Sequence, residues 1–136
     1  MAIFGLNKRQ RQVKYYPLNY GYSDPHKLIG KFKVIIPWAW GNFNETSGLG
    51  GSYSELIIGY PDEICTQTYH TSGNFNTEDL AIKHAKYLLT KFARALIYIN
   101  KFGITSSQKT FEALPQQDYT ENWWDETIEN INRHKK

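Results

Sequence analysis

Between Thr77 and Lys101 apolar residues recur at the period of an α-helix, and this repeat constrains the fold more than any other feature of the chain. Ala81, Ala85, Leu88, Leu89, Phe92, Ala95, Leu96 and Ile99 fall on one face of a helix drawn over this stretch. Lys83, Lys86, Tyr87, Thr90, Lys91, Arg94, Tyr98 and Lys101 gather on the other, and no acidic residue follows the first turn. Such a helix is stable only if its apolar stripe packs on another element, so the rest of the chain must supply a sheet. Asn76 or Thr77 suits the N-cap, Glu78 and Asp79 suit the positive first turn, and Gly103 suits the stop.

Strand signals lie upstream. Lys31 to Pro37 (KFKVIIP) alternates and then becomes continuously apolar and β-branched, the pattern of a strand entering a core. Two further strands are expected at Glu55 to Tyr60 and Glu63 to His70, with Pro61 and Asp62 as the turn between them. The stretch from Gly41 to Ser54 is rich in Gly, Asn, Ser and Thr and reads as a long loop. Residues 1–30 mix cations and tyrosines with Pro17, Gly21 and Pro25, and read as irregular chain or edge strands. Downstream, Phe111 to Leu114 reads as a short extended piece, and a second, short helix is expected from about Trp124 to Arg133. The expected fold is α+β: a small mixed or antiparallel sheet covered on one face by a long amphipathic helix. A basic N-terminal segment (1–30) and an α+β recognition unit (31–136) then form a single domain, and 136 residues are enough for one core.

The net charge of +3 is modest, but its distribution is uneven. Residues 1–37 carry Lys8, Arg9, Arg11, Lys14, Lys27, Lys31 and Lys33 against Asp24 alone. Residues 38–75 hold Glu45, Glu55, Asp62 and Glu63 with no Lys or Arg, and cations dominate again over residues 76–112. These basic stretches either converge on one phosphate-binding surface or stand as separate solvated faces. The single cysteine, Cys65, has no intramolecular partner, which points to a reducing, cytoplasmic setting and to a small apolar role. No run of about 18 apolar residues is present, so no membrane association is expected.

Catalytic signatures are few. Gly48, Gly50 and Gly51 are followed by neither Lys-Ser nor Lys-Thr, and a strand rather than a helix is expected after them. Asp24-Pro25-His26 reads as a turn. His26, His70, His84 and His134 lack the close spacing of a metal-binding pair, and no Glu-x-Lys follows Asp62 as a metal-dependent nuclease would require. Cys65 with His70 or His84 makes only a weak case for a nucleophile and base. The positive pattern is a mixture of aromatic, basic and amide side chains. Lys and Arg contact phosphates and Asn and Gln contact base edges, but Tyr and Trp also build protein interfaces.

An ordered series of segments adds to this reading. Glu63 to Tyr69 (EICTQTY), Leu88 to Arg94 (LLTKFAR), Phe111 to Tyr119 (FEALPQQDY) and Trp124-Asp125-Glu126, preceded by Phe4-Gly5-Leu6, resemble the C-terminal region of type II restriction-modification N6-adenine DNA methyltransferases with a TaqI-like specificity domain. Ala93 stands where that pattern carries an aromatic residue. The resemblance implies target recognition on double-stranded DNA without methyl transfer. S-adenosylmethionine and base flipping would belong to a catalytic domain or subunit outside this chain, and no cofactor or metal is expected within it. Lys91 and Arg94 carry over from the helix segment as DNA contacts or solvated charges. Lys8, Arg9, Arg11 and Lys14 are further candidates on charge density, and Gln116 and Gln117 are candidates for adenine contacts or for capping a turn. The alternative is a protein-interaction module that docks onto a methyltransferase or nuclease subunit through Trp38, Trp40, Trp123 and Trp124.

Overall fold

The computed structural model describes residues 1–7, 10–18, 21, 23–24, 26–37, 56–100, 108–119 and 131–133. Along the chain these form strands β1 (Ala2–Asn7), β2 (Gln10–Tyr15), β3 (Phe32–Pro37), β4 (Leu56–Gly59), β5 (Glu63–Cys65) and β6 (Tyr69–Phe75). Helices α1 (Glu78–Leu88), α2 (Lys91–Asn100) and α3 (Gln108–Glu112) follow, and then strand β7 (Ile131–Arg133). The fold is mixed α+β. One sheet has the order β2-β1-β5 and the other β6-β3-β4-β7, and each combines antiparallel pairs with one parallel pair, β1 with β5 and β4 with β7.

The four-stranded sheet is the middle of three layers. Side chains alternate across a strand, so Val34 and Ile36 of β3 and Leu56 and Ile58 of β4 face one way and pack with Ala81, Ala85, Leu88 and Leu89 of α1 and Ile97 of α2. Ile35 and Ile57 face the other way, into a second cluster with Phe4, Val13, Cys65 and Tyr69 beneath the three-stranded sheet. This double cover explains why the sequence of β3 reads as continuously apolar: a strand buried on both faces has no polar side to show. Burying one such Ile or Val contributes about 1.5–3 kcal/mol, and β3 buries three in a row, Val34, Ile35 and Ile36.

The expected long helix is two helices. Leu89 ends α1, where its N–H bonds Ala85 and Lys86 carbonyls at 3.1 and 3.2 Å, and Thr90 caps α2 by accepting from the Ala93 N–H at 3.2 Å. The break shifts the phase of the apolar stripe. Ala93 and Ile97 are fully buried in α2, whereas Phe92 and Ile99, expected on the packed face, are 56% and 74% exposed. At the other end Thr77 caps α1 by accepting from the Leu80 N–H, and Glu78 and Asp79 occupy its first turn as expected.

Four further expectations change. Strands β1 and β2 pair antiparallel over six residues, β2 as an edge strand and β1 as an interior one. The single strand expected from Glu63 to His70 is split between two sheets by a turn at 66–68, closed by the Tyr69 N–H on the Thr66 carbonyl at 3.0 Å. β-branched Thr66 and Thr68 read as strand formers, yet their hydroxyls bond each other at 2.9 Å across the turn. Phe111 lies in α3 rather than in an extended piece, because both it and Leu114 pack on the helix-side core, and residues three apart share a side only on a helical path. Residues 131–133 form β7, which satisfies the edge of β4, instead of ending a helix. The remainder of that expected helix, the 41–54 loop and Gly103 lie outside the described residues.

Two positions are fixed by their surroundings. Gly73 (φ +82°) sits where the β3–β6 register shifts, and a side chain there would overlap the Phe75 ring at 2.1 Å, so only glycine fits this bulge. Lys33 is fully buried, and its ammonium donates to the carbonyls of Leu28, Lys31 and Tyr60 at 3.0, 2.9 and 2.8 Å. Replacing Lys33 with Met removes the charge that faces buried Glu63 and leaves three carbonyls unanswered. We expect a loss of about 3 kcal/mol, read as a lower urea midpoint at unchanged slope.

Candidate nucleic-acid interface

The cations of the chain are not equivalent once folded. Arg11 and Lys14 lie on β2, an exposed edge strand on which only Val13 is half-buried. Their odd spacing puts them on opposite faces. Arg11 turns toward the sandwich interior and sits over the Tyr69 ring at 5.8 Å from its centroid, a cation–π contact that orients the guanidinium. Lys14 lies on the outer face, opposite Ile3, in line with Gln12 and Gln10. Lys8 and Arg9 lie outside the described residues.

Lys91 and Arg94 are on α2, in the layer that covers the opposite face of the four-stranded sheet. Gln116 and Gln117 belong to that side as well, because their segment runs along α1: the Tyr87 hydroxyl donates to the Pro115 carbonyl at 3.1 Å, and the Lys83 ammonium to the Tyr119 carbonyl at 3.2 Å. Gln117 donates to the Pro115 carbonyl at 3.2 Å and also bonds Tyr87, so its amide serves the turn, while Gln116 is exposed. The sequence candidates therefore separate into a hairpin group and a helix group with a buried sheet between them. Lys33, counted in the basic N-terminal stretch, is internal, and Lys83 pairs with Asp79 at 3.1 Å. The tryptophans of the interaction alternative lie outside the described residues.

Two hollows accompany these surfaces. The larger, about 770 Å³, borders β6 and includes Asp24, Lys33, Cys65, His70, Ser72 and Phe111 in its lining. Two of its charged groups are committed to the fold. Asp24 accepts the N–H groups of Leu28 and Ile29 at 2.8 and 2.9 Å, and Lys33 is held by three carbonyls. Burial pushes Cys65 up to about 11, so it is a thiol at neutral pH, and His70 stacks edge-on against Phe111 at 5.8 Å. The Cys65 thiol is therefore not a ready nucleophile at neutral pH. Desolvation lowers Lys33 to about 8, with Glu63 the strongest influence pulling it back up, so it stays cationic at neutral pH.

Sequence reasoning missed the Ser72–His84–Tyr119 relay. His84 Nε2 bonds the Ser72 hydroxyl at 2.7 Å and Nδ1 bonds the Tyr119 hydroxyl, pinning the segment after α3 to α1 and β6. Burial holds the imidazole neutral, with its pKa lowered to about 4, and raises that of Tyr119. A neutral phenol in place of a carboxylate gives an imidazolium no counter-charge, so the relay is a structural latch. The signal was absent from the sequence because the three residues come from separate elements.

The smaller hollow, about 310 Å³, lies on the outer face of the three-stranded sheet, where Gly5 leaves a gap between Ile3 and Asn7. Gln12 and Lys14 border it from β2 and Thr66 from beyond β5. Among the described residues no three His, Cys, Asp or Glu side chains converge as a metal site would require, and no helix is long and apolar enough to cross a membrane. Comparisons with protein-family models, with curated proteins and with solved structures give no match for the chain.

The His84 latch has a defined pH signature. Because the folded-state pKa lies below the ordinary 6.5, its contribution is complete above pH 6.5 and is lost as pH falls toward 4, by at most roughly 3 kcal/mol. Urea midpoints should fall between pH 7 and pH 5, and His84→Gln should be less stable at pH 7 while losing that part of the slope.

Proposed function

We propose that this chain is a non-catalytic DNA sequence-recognition domain or fragment, of the kind that serves adenine-specific type II modification enzymes, and that it meets double-stranded DNA through the β1–β2 hairpin. The observation that carries this reading is the exposed edge strand β2, on which Gln10, Gln12 and Lys14 line the outer face while Arg11, also exposed, lies on the other. No Asp or Glu occurs before Asp24, so the hairpin and the two residues joining its strands carry four cations and no carboxylate. A two-stranded ribbon fits the major groove of B-DNA, where amides contact base edges and cations contact phosphates. The resemblance of the Glu63–Tyr69, Leu88–Arg94 and Phe111–Tyr119 segments to TaqI-like specificity domains supports the same assignment. Binding of S-adenosylmethionine and methyl transfer then fall to a separate catalytic domain or subunit. A reducing, cytoplasmic setting fits the single unbridged Cys65.

This reading uses the hairpin residues Arg11 and Lys14, which lie on the other side of the four-stranded sheet from Lys91 and Arg94, and it leaves the helix cations out of the contact set. A second reading, docking onto a methyltransferase or nuclease subunit, is favoured by α2, whose exposed Phe92 and Ile99 form an apolar stripe beside those cations.

Fluorescence anisotropy with duplex DNA across a salt series tests the first reading. Affinity should fall steeply with salt, and Arg11→Ala and Lys14→Ala should each weaken binding and reduce the slope by about 1. Lys91→Ala and Arg94→Ala should change neither. Salt-insensitive binding, or loss of the slope on the α2 substitutions instead, would overturn the assignment in favour of the docking face.

A further inference from the structure

The trough on the outer face of the three-stranded sheet has features that duplex binding by an edge strand does not need. Its floor is Gly5, whose missing side chain opens a gap in a face otherwise carrying Ile3 and Asn7 at the neighbouring outward positions. The gap is enforced on one side: a Cβ on Gly5 would lie 3.3 Å from the Thr66 side chain. Two residues along a strand span about 6.6 Å, so Ile3 and Asn7 stand about 13 Å apart with open sheet between them, room for a flat ring system to lie on the backbone. The volume, about 310 Å³, falls at the small-ligand end of ordinary pockets.

The rim supplies matched chemistry. Asn7 Nδ2 donates to Gln12 Oε1 at 3.3 Å, which leaves the Gln12 amino group as a donor beside the Asn7 carbonyl as an acceptor. A donor next to an acceptor complements the donor–acceptor edge of a nucleobase, such as the amino and ring nitrogen of adenine. Lys14, opposite Ile3 on β2, places an ammonium at the other end, Tyr16 also lines the trough, and none of the lining residues is acidic. An apolar floor, an amide pair at one end and a cation at the other suit a base carrying a phosphate.

We propose that this trough binds a single unpaired nucleotide, its base lying over Gly5 and Ile3 with its edge on Asn7 and Gln12, and its phosphate on Lys14. The proposal rests on the reading of β2 as a nucleic-acid contact and deepens it: the hairpin would hold one unstacked nucleotide of a strand in addition to touching paired DNA. Inside an intact duplex a base is stacked and cannot lie on the sheet, so the ligand is an unpaired nucleotide, free or within a strand.

The test is nuclear magnetic resonance titration of the isotopically labelled full chain with adenosine and thymidine 5′-monophosphates and with inorganic phosphate, alongside anisotropy with a four-nucleotide strand and with duplex DNA. Saturable shifts of the Gly5, Gln12 and Thr66 amides with a nucleotide, but not with phosphate alone, are expected. Gly5→Val, which fills the floor, and Gln12→Leu, an exposed change that removes the amide edge without threatening folding, should each weaken nucleotide binding about tenfold. A four-nucleotide strand binding at least tenfold tighter than the monophosphate identifies the ligand as part of a strand, and equal affinity identifies a free nucleotide. No saturable shift at these amides, equal shifts with phosphate alone, or unchanged binding by Gln12→Leu would overturn the trough assignment. Duplex binding that fails while nucleotide shifts persist would sink the duplex reading and leave the trough in place.

Discussion

A lysine ammonium buried at the centre of the fold organises the parts that meet there. Lys33 projects from β3 and spends its three hydrogens on carbonyls from the 28–31 turn and from Tyr60, just before the turn into β5. Buried carbonyls that lack donors are destabilising, and a buried ammonium without acceptors more so, so the two segments and the side chain hold one another in place. Glu63, also buried, lies close enough to offset part of the desolvation and accepts from the Tyr60 N–H at 2.9 Å. The Gly30 N–H bonds the Pro61 carbonyl at 2.8 Å and the Ala2 N–H bonds the Asp62 carbonyl at 2.8 Å, so the same short turn between β4 and β5 anchors the start of β1. The three-stranded sheet is attached to the four-stranded one through this cluster as much as through its apolar contacts.

That attachment decides how the surface is divided. A central sheet covered by helices on one face and by a second sheet on the other leaves two outer surfaces that share no edge residues among the proposed contacts. The helix surface carries Lys91 and Arg94 beside the exposed Phe92 and Ile99. The hairpin surface carries amides, Lys14, and Arg11 steered by Tyr69. Charge is present on both, but amides lined up with a cation over an open sheet occur on the hairpin side, and this distinction, rather than net charge, underlies the functional proposal.

Much of the secondary structure was legible in the residues, because local patterns and burial agreed there. The apolar run of β3 and the Thr77 cap of α1 followed from β-branching and from capping chemistry. The hairpin was harder to read: β2 is solvated on both faces, so it shows no alternation from which a strand could be inferred. The α1–α2 break was visible only as Thr90, an ordinary residue at a mid-helix position until its hydroxyl and carbonyl are seen capping a new helix. The candidate site was only partly legible for a related reason. Arg11 and Lys14 stood out by charge, but Asn7, Gly5 and Thr66 acquire meaning only when β1 is paired on both sides.

By itself the sequence determined the class of the fold, the strand that forms its core, the start of the first helix, and a basic N-terminal stretch without carboxylates. These depend on propensity, period and charge, which act over a few residues. Tertiary structure alone decided that Lys33 is internal, that His84 closes a latch with Ser72 and Tyr119, and that β2 and α2 lie on opposite sides of the four-stranded sheet. Each of these depends on which segments the sheets bring side by side, and pairing between distant strands is set by the burial of whole faces rather than by any local signal.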